Sequence, residues 1–518
     1  MRAALAASLD ACEAAFDRAF GQAGNPWRHL GSLAFLLVVV TTATGIVVYA
    51  VYDTSVGGAY RSVRAMSAGP PAGLALARSV HRYASDALVL TMIAHLAREW
   101  LRGHAAGFRW FSWLSGVPLV ALVYASGIGG YWLPFDRLAQ LSLTATTEWL
   151  DALPLFGEPL ARNFVSPASV PDRLLSLLVF LHIGIPLALL AFIGVHLLRL
   201  TRPRSFPPAT IAAATCAALV VLALMHPARA LAEADFGSEP MTVAFDWPYL
   251  FIHALQYRTS PQLLWAAAGA AGLVLAVLPW IERTPHAPAA CVDLANCNGC
   301  GRCFADCPYA AITLVARSDG RHLPRQAEVD PRRCASCGIC AGACPSSTPF
   351  RSGSDLATGI DLPQAPIRAL RASLDRALET LAPRPAIVVF GCASGVEVAS
   401  VREPGTAPIE LVCIAMLPPS FVEYALRAGA DGVMVSGCRE GDCAYRLGHE
   451  ILRARLEGSR EPRLRARVSR ARVRTFWGAR ADARSLSAAV AAFRRDLAAS
   501  PRAAGPSMPP KRREALDA

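Results

Sequence analysis

Six apolar stretches, at about 30–51, 76–101, 114–133, 174–200, 209–225 and 262–280, approach or exceed the roughly 17–20 residues a helix needs to cross hydrocarbon. No such stretch follows residue 285. The pattern changes from Pro385 onward, where "AIVVFGC", "PIELVC" and "DGVMVSGC" read as short buried strands and "PPSFVEYALRAGA" as the helix between two of them. Near the start, Leu5, Leu9, Cys12, Phe16 and Phe20 recur at helical spacing, which predicts an amphipathic helix lying on a membrane surface or packed on a core. After Ser459 only "SLSAAVAAFRRDL" keeps a helical period, so the end of the chain reads as a basic tail with one closing helix.

Composition agrees with membrane residence, since 53% of the 518 residues are hydrophobic and 17% charged. The net charge of +12 is almost all arginine, with Lys511 the one lysine. These arginines crowd at the ends of apolar segments without interleaved aromatics, which argues against nucleic acid as a partner. Asp10, Glu13 and Asp17 interrupt the first twenty residues, so no cleavable signal is expected there. The loops "REWLRGHAAGFRW" and "RLTRPR" are basic and "ALAEADFGSEP" is acidic, which orients the N-terminus to the cytoplasm. Six crossings of the cell inner (cytoplasmic) membrane would return everything after about residue 285 to that side. Of fifteen cysteines, Cys12 and Cys216 fall in the apolar half and the rest follow residue 290, in spacings that suit metal clusters in a reducing compartment.

His81 and His95 lie fourteen residues apart, and so do His182 and His196. Fourteen residues turn an α-helix through about 1400°, within roughly 40° of four full turns, and rise about 21 Å. Each pair therefore shares one helix face, one histidine near each leaflet. An imidazole in lipid is costly unless bound, and two facing imidazoles suit the axial positions of a haem iron. The expected sites are an outer one, His81 with His182, and an inner one, His95 with His196. Gly31 and Gly45, and Gly116 and Gly130, repeat the fourteen-residue spacing, and glycine there would let a macrocycle lie against the backbone.

With "GGYWLP" at 129–134, residues 25–200 resemble the N-terminal part of cytochrome b, the membrane subunit of bc-type complexes. The resemblance implies two haems b, with Arg78 and Arg98 as propionate partners, and contact with quinone or quinol. The family's Pro-Glu-Trp-Tyr quinol motif is altered here to "FDWPYLFIHALQYRTSP", leaving Asp246, Trp247 and Tyr249 as its remnant.

Cys297, Cys300, Cys303 and Cys307 precede Pro308, and Cys334, Cys337, Cys340 and Cys344 precede Pro345. Each run is C-x2-C-x2-C-x3-C-P, the bacterial ferredoxin pattern in which the fourth thiolate crosses to the other cluster. One [4Fe-4S] cluster is thus expected on Cys297, Cys300, Cys303 and Cys344, and a second on Cys334, Cys337, Cys340 and Cys307. Cys291 is expected to be a small buried hydrophobe.

Cys392, Cys413 and Cys438 end the three strands, and Cys443 follows. The carboxyl ends of a parallel sheet line one edge, so these four thiolates could hold a third centre. "GADGVMVSGCREGDCAY", within about residues 384–456, resembles the delta subunit of methyl-viologen-reducing hydrogenases, which implies a [2Fe-2S] cluster and a heterodisulfide-reductase-type flavoprotein partner. Two departures stand out: Gly395 replaces a family cysteine, and "CIAM" lacks a family arginine.

The fold class expected is therefore multidomain: an all-α transmembrane bundle of about six helices, a ferredoxin-like α+β domain and a small α/β parallel-sheet domain. The boundaries read as a surface helix (1–24), a dihaem domain (25–205), two further transmembrane helices (206–284), the ferredoxin domain (285–352), a linker (353–382), the hydrogenase-delta-like domain (383–457) and the tail (458–518). No nucleophile, acid/base pair or phosphate loop is evident. The chain reads as an electron-transfer subunit between a cytoplasmic flavoprotein, hydrogenase or dehydrogenase and the quinone pool, in a form compatible with a homodimer. Two alternatives are a self-sufficient quinone reductase and an anchoring adaptor whose cofactors only relay.

Overall fold

The computed structural model describes residues 2–68, 73–153, 172–238, 246–282, 287–351 and 356–499. It divides into two bodies, one of Met1–Leu198 with Pro203–Pro285 and one of Arg199–Arg202 with His286–Ala518. The end of the basic tail, 500–518, falls outside the described residues.

The first body is helical. Its helices are α1 (Arg2–Phe20), α2 (Leu30–Tyr49), α3 (Val56–Ser67), α4 (Leu74–Leu101), α5 (Trp110–Trp132), α6 (Arg137–Asp151), α7 (Asp172–Leu197), α8 (Ala209–Met225), α9 (Trp247–Arg258) and α10 (Pro261–Ile281). Side-chain caps set several starts: Ser55 accepts from Gly58 N–H, Asp136 from Leu138 and Ala139, and Ser260 from Leu263. Within the body α2 packs chiefly on α4, and α5 on α7.

Among the described residues four segments, Pro26–Tyr49, Gly107–Trp132, Asp172–Leu197 and Pro261–Ile281, are long and apolar enough to span a bilayer. That is fewer than the six stretches read from the sequence. The α8 helix is apolar but has only 17 residues, and α4, long enough at 28, carries Arg78, Arg82, Asp86, Arg98 and Glu99.

The charges of α4 are answered locally. Arg98 Nε donates to Glu13 at 2.8 Å, Arg102 reaches Glu13 and Asp10 at 2.7 Å, and Arg28 donates to Asp17 at 2.7 Å. The Glu13 side chain is 1% exposed, so α1 is pinned to α4 by a buried carboxylate. Its apolar stripe is accordingly split, with Leu9 buried and Leu5 and Phe20 exposed.

Among its described residues the second body holds three sheets. Strand β1 (Cys291–Val292) pairs with β4 (Ile360–Asp361), and β2 (Ile312–Ala316) with β3 (Arg325–Val329), both antiparallel. Two short helices, α11 (Arg302–Asp306) and α12 (Ile339–Ala343), follow equivalent glycines of the two cysteine runs. Gly301 (φ 77°) and Gly338 (φ 75°) sit in the left-handed region that glycine enters freely, which turns each run into its helix. Cys291 is exposed, which corrects the expectation of burial; the two-residue strand β1 leaves nothing to cover it.

The third sheet is parallel and ordered β6-β5-β7-β8, from β5 (Ile387–Cys392), β6 (Thr406–Leu411), β7 (Gly432–Cys438) and β8 (Val473–Gly478). Its central strands β5 and β7 are buried at every position, as a sheet covered on both faces requires. On one face α16 (Ala483–Ala499) packs Leu486, Val490 and Phe493 against Ile387, Val389 and Met434. On the other, α13 (Ile367–Thr380) and α14 (Pro419–Arg427) join the larger core. The segment expected as a linker therefore supplies a packed helix, with Ile367, Leu370 and Leu374 buried. The first part of the tail supplies the sheet's fourth strand and its covering helix.

Candidate functional site

The helix pairs α2/α4 and α5/α7 set the four histidines. The ring centres of His81 and His182 are 6.2 Å apart at 74°, and His95 and His196 lie within electrostatic reach of one another. A metal–imidazole bond of about 2 Å on each side separates facing nitrogens by about 4 Å and ring centres by roughly 6 Å, which the His81–His182 gap matches. Nδ1 is engaged at three of the rings, by Thr41 O (2.9 Å) at His81, Ser126 O (3.0 Å) at His182 and Ser115 Oγ (3.0 Å) at His196. That fixes each imidazole's orientation and leaves Nε2 as the nitrogen available to a metal.

Each periodic glycine faces one of these rings. A Cβ added at Gly45 would stand 2.9 Å from His81 Cε1, and one at Gly130 would stand 2.9 Å from His182 Cε1. At Gly31 and Gly116 it would lie 3.3 Å from His95 and 3.5 Å from His196. The missing side chains thus open space beside the imidazoles, and they do so at both depths.

In the second body the cysteines of the two runs interleave. One cavity is lined by Cys307, Cys334, Cys337 and Cys340, and another by Cys297, Cys300, Cys303 and Cys344. The fourth cysteine of each run has crossed to the other's cavity. Backbone amides are already aimed at sulfur, with Ala311 N–H 3.3 Å from Cys307 Sγ and Ser336 N–H 3.4 Å from Cys334 Sγ. Burial pushes the Cys303 thiol up to about 12 and Cys340 well above the usual thiol range. These groups give up their protons only to something that compensates the charge, as bound iron does.

Cys392, Cys413, Cys438 and Cys443 meet at the carboxyl edge of the parallel sheet. Cys392 Sγ and Cys438 Sγ are 3.5 Å apart, and a side chain at Gly448 would come 2.5 Å from Cys413 Sγ and 3.3 Å from Cys443 Sγ. Cys392 is pulled down to about 3 by Cys413 and then Cys438, and Cys443 well down by Cys438, while Cys413 and Cys438 are raised. The sulfurs of Cys392 and Cys438 are in hydrogen-bond contact, and those of Cys413 and Cys443 both border Gly448. Gly395 lies against it, an added Cβ being 3.4 Å from Cys438 N. Any side chain at Gly338 would strike Met416 at 2.9 Å.

Comparison with known families matches residues 18–203 to "Cytochrome b/b6/petB", 296–348 to "4Fe-4S dicluster domain" and 387–499 to "Methyl-viologen-reducing hydrogenase, delta subunit". The chain is a fusion of these three modules. A solved structure described as "Hyperthermophilic respiratory Complex III" is similar at 20% identity and a TM-score of 0.40, over 50% of this chain and 76% of that one. The fusion is a multi-pass membrane protein and an electron-transfer subunit; its cytochrome b module implies haem b, and its dicluster module implies [4Fe-4S] clusters.

In the cytochrome b fusion, the remaining expected residues divide. Arg78 donates to Ser67 Oγ (3.0 Å) and to Ala228 O. Arg98 is engaged by Glu13, a partner that its spacing from His95 did not signal. Asp246 accepts from Arg82 Nε (2.8 Å) and from the Tyr131 hydroxyl (2.5 Å). Arg82 also lies 3.7 Å from Asp86. The Tyr249 hydroxyl is 2.9 Å from both Oγ and O of Ser85, and Trp247 is 63% exposed. Arg82, Asp86 and Tyr131 were not singled out in the sequence. The available signal was an Arg–Asp pair at i, i+4 immediately after His81.

Proposed function

We propose that this fusion carries electrons between a redox partner docking on its iron–sulfur modules and the quinone pool. Its haems b would sit on His81 with His182 (outer) and on His95 with His196 (inner), beside Gly45 with Gly130 and Gly31 with Gly116, and Arg78 would serve as a propionate partner. The cubanes would use Cys297, Cys300, Cys303 and Cys344, and Cys334, Cys337, Cys340 and Cys307. A third centre, of the [2Fe-2S] type, would use Cys392, Cys413, Cys438 and Cys443. When bound, these groups supply one-electron carriage in series.

The observation that carries this reading is the pairing of every periodic glycine with its own histidine, joined to two cavities each lined by a crossed set of four cysteines. The close approach of Gly338, beside Cys337, to Met416, three residues after Cys413, supports transfer between the third centre and the second cubane. Asp246, Trp247 and Tyr249 would wall a quinone site on the outer side. The iron–sulfur modules would face the cytoplasm and a flavoprotein, hydrogenase or dehydrogenase subunit there.

In the purified full chain, a quinol analogue should reduce the b-type haems, read as growth of their ferrous α-band, without any partner. Reduction that occurs only after a dehydrogenase partner is added would favour the adaptor reading over a quinone site within this chain.

A graded effect is expected at the glycines. Gly130→Val drives a branched side chain into His182, so haem content by pyridine haemochromogen should fall by half. Gly116→Ala meets His196 at ordinary contact distance and should leave content near the parent value.

A further inference from the structure

The helix α15 (Gly448–Glu457) starts at the third group of cysteines. Gly448 admits the sulfurs of Cys413 and Cys443, and the next residue, His449, is 2% exposed. Its ring stands edge-on to Trp477 of β8, with centres 6.3 Å apart at 68°. Among the described residues neither ring nitrogen makes a well-aligned hydrogen bond, and Glu450 Oε1 is 3.7 Å from Nε2, beyond hydrogen-bond range. Burying an imidazole N–H without a partner is costly, so a group that takes its N–H is to be expected. The Cys443 sulfur is placed for this, since it lies against Gly448, the residue before His449 at the start of the same helix.

We propose that His449 donates a side-chain N–H to the Cys443 sulfur and thereby raises the reduction potential of the third iron–sulfur centre. The inference rests on the assignment of that centre to Cys392, Cys413, Cys438 and Cys443. Hydrogen bonds to cluster sulfurs stabilise the more negative, reduced state and are a principal control on potential. His449 would be a positioning residue that acts through Cys443 and takes no place in the ligand set.

The test is an EPR-monitored redox titration of the full chain in detergent, comparing the parent with His449→Leu and His449→Gln. Leu removes the donor and Gln keeps one. The expected result is that His449→Leu retains the line shape of the third centre and shifts its midpoint to lower potential. His449→Gln should recover much of that shift, and the midpoints of the haems and cubanes should not move. An unchanged midpoint in His449→Leu overturns the proposal. So does loss of the third signal, with its iron, from both variants, which would make His449 a ligand or a structural requirement. Absence of any third signal in the parent overturns the assignment of the centre itself, and the proposal with it.

Discussion

His182→Ala is expected to leave a protein with one b-type haem in place of two, the inner one spectrally intact. The His182 ring is held by Ser126 O and stands 6.2 Å from His81. Alanine deletes one of the two imidazole nitrogens that would hold this haem. The inner pair should persist because it belongs to the far ends of the same two helices, about 21 Å along each axis. Haem content and a redox titration check this directly: a single remaining midpoint is expected, and two unchanged haems would refute the pairing.

Arg455→Met is expected to destabilise the second body by about 3–5 kcal/mol, the usual penalty for removing one partner of a buried ion pair. The Arg455 side chain is fully buried and donates to Asp306 Oδ2 at 2.6 Å and to the carbonyls of Ala415 (2.7 Å) and Ile339 (3.2 Å). One guanidinium thus ties α11, α12 and the turn after Cys413 together, directly beside Cys307. The midpoint of cluster bleaching in guanidinium chloride should fall. Arg460→Met should cost less, since Arg460 also meets Asp306 but its side chain is 25% exposed. Equal losses in the two variants would show that burial does not set the cost.

These features were unequally legible in the sequence. The histidine and glycine periods could be read because fourteen residues nearly close four helical turns, so spacing alone puts both members on one face. The cysteine runs could be read because cluster ligation fixes short spacings within one segment. Strand β8, "VRTFWG", escaped notice because it is short, lies at the sheet edge and carries Arg474 in an arginine-rich stretch. The helix α13 escaped because its charged face outnumbers its apolar one, and burial of Ile367, Leu370 and Leu374 depends on a sheet that comes later in the chain. His449 gave no sign at all: a lone histidine acquires meaning only from what the fold sets beside it.

The crossed cysteines have a mechanical consequence. If both cubanes form, each fastens the start of the ferredoxin segment to its end, so the clusters act as two cross-links closing loops of roughly thirty to forty residues. By analogy with disulfides, closing loops of that length removes about 3–4 kcal/mol of freedom from the unfolded chain per link. A protease cut in the exposed hairpin around Gly320 would then leave two fragments still riveted together by iron, to be parted only by chelation or oxidation.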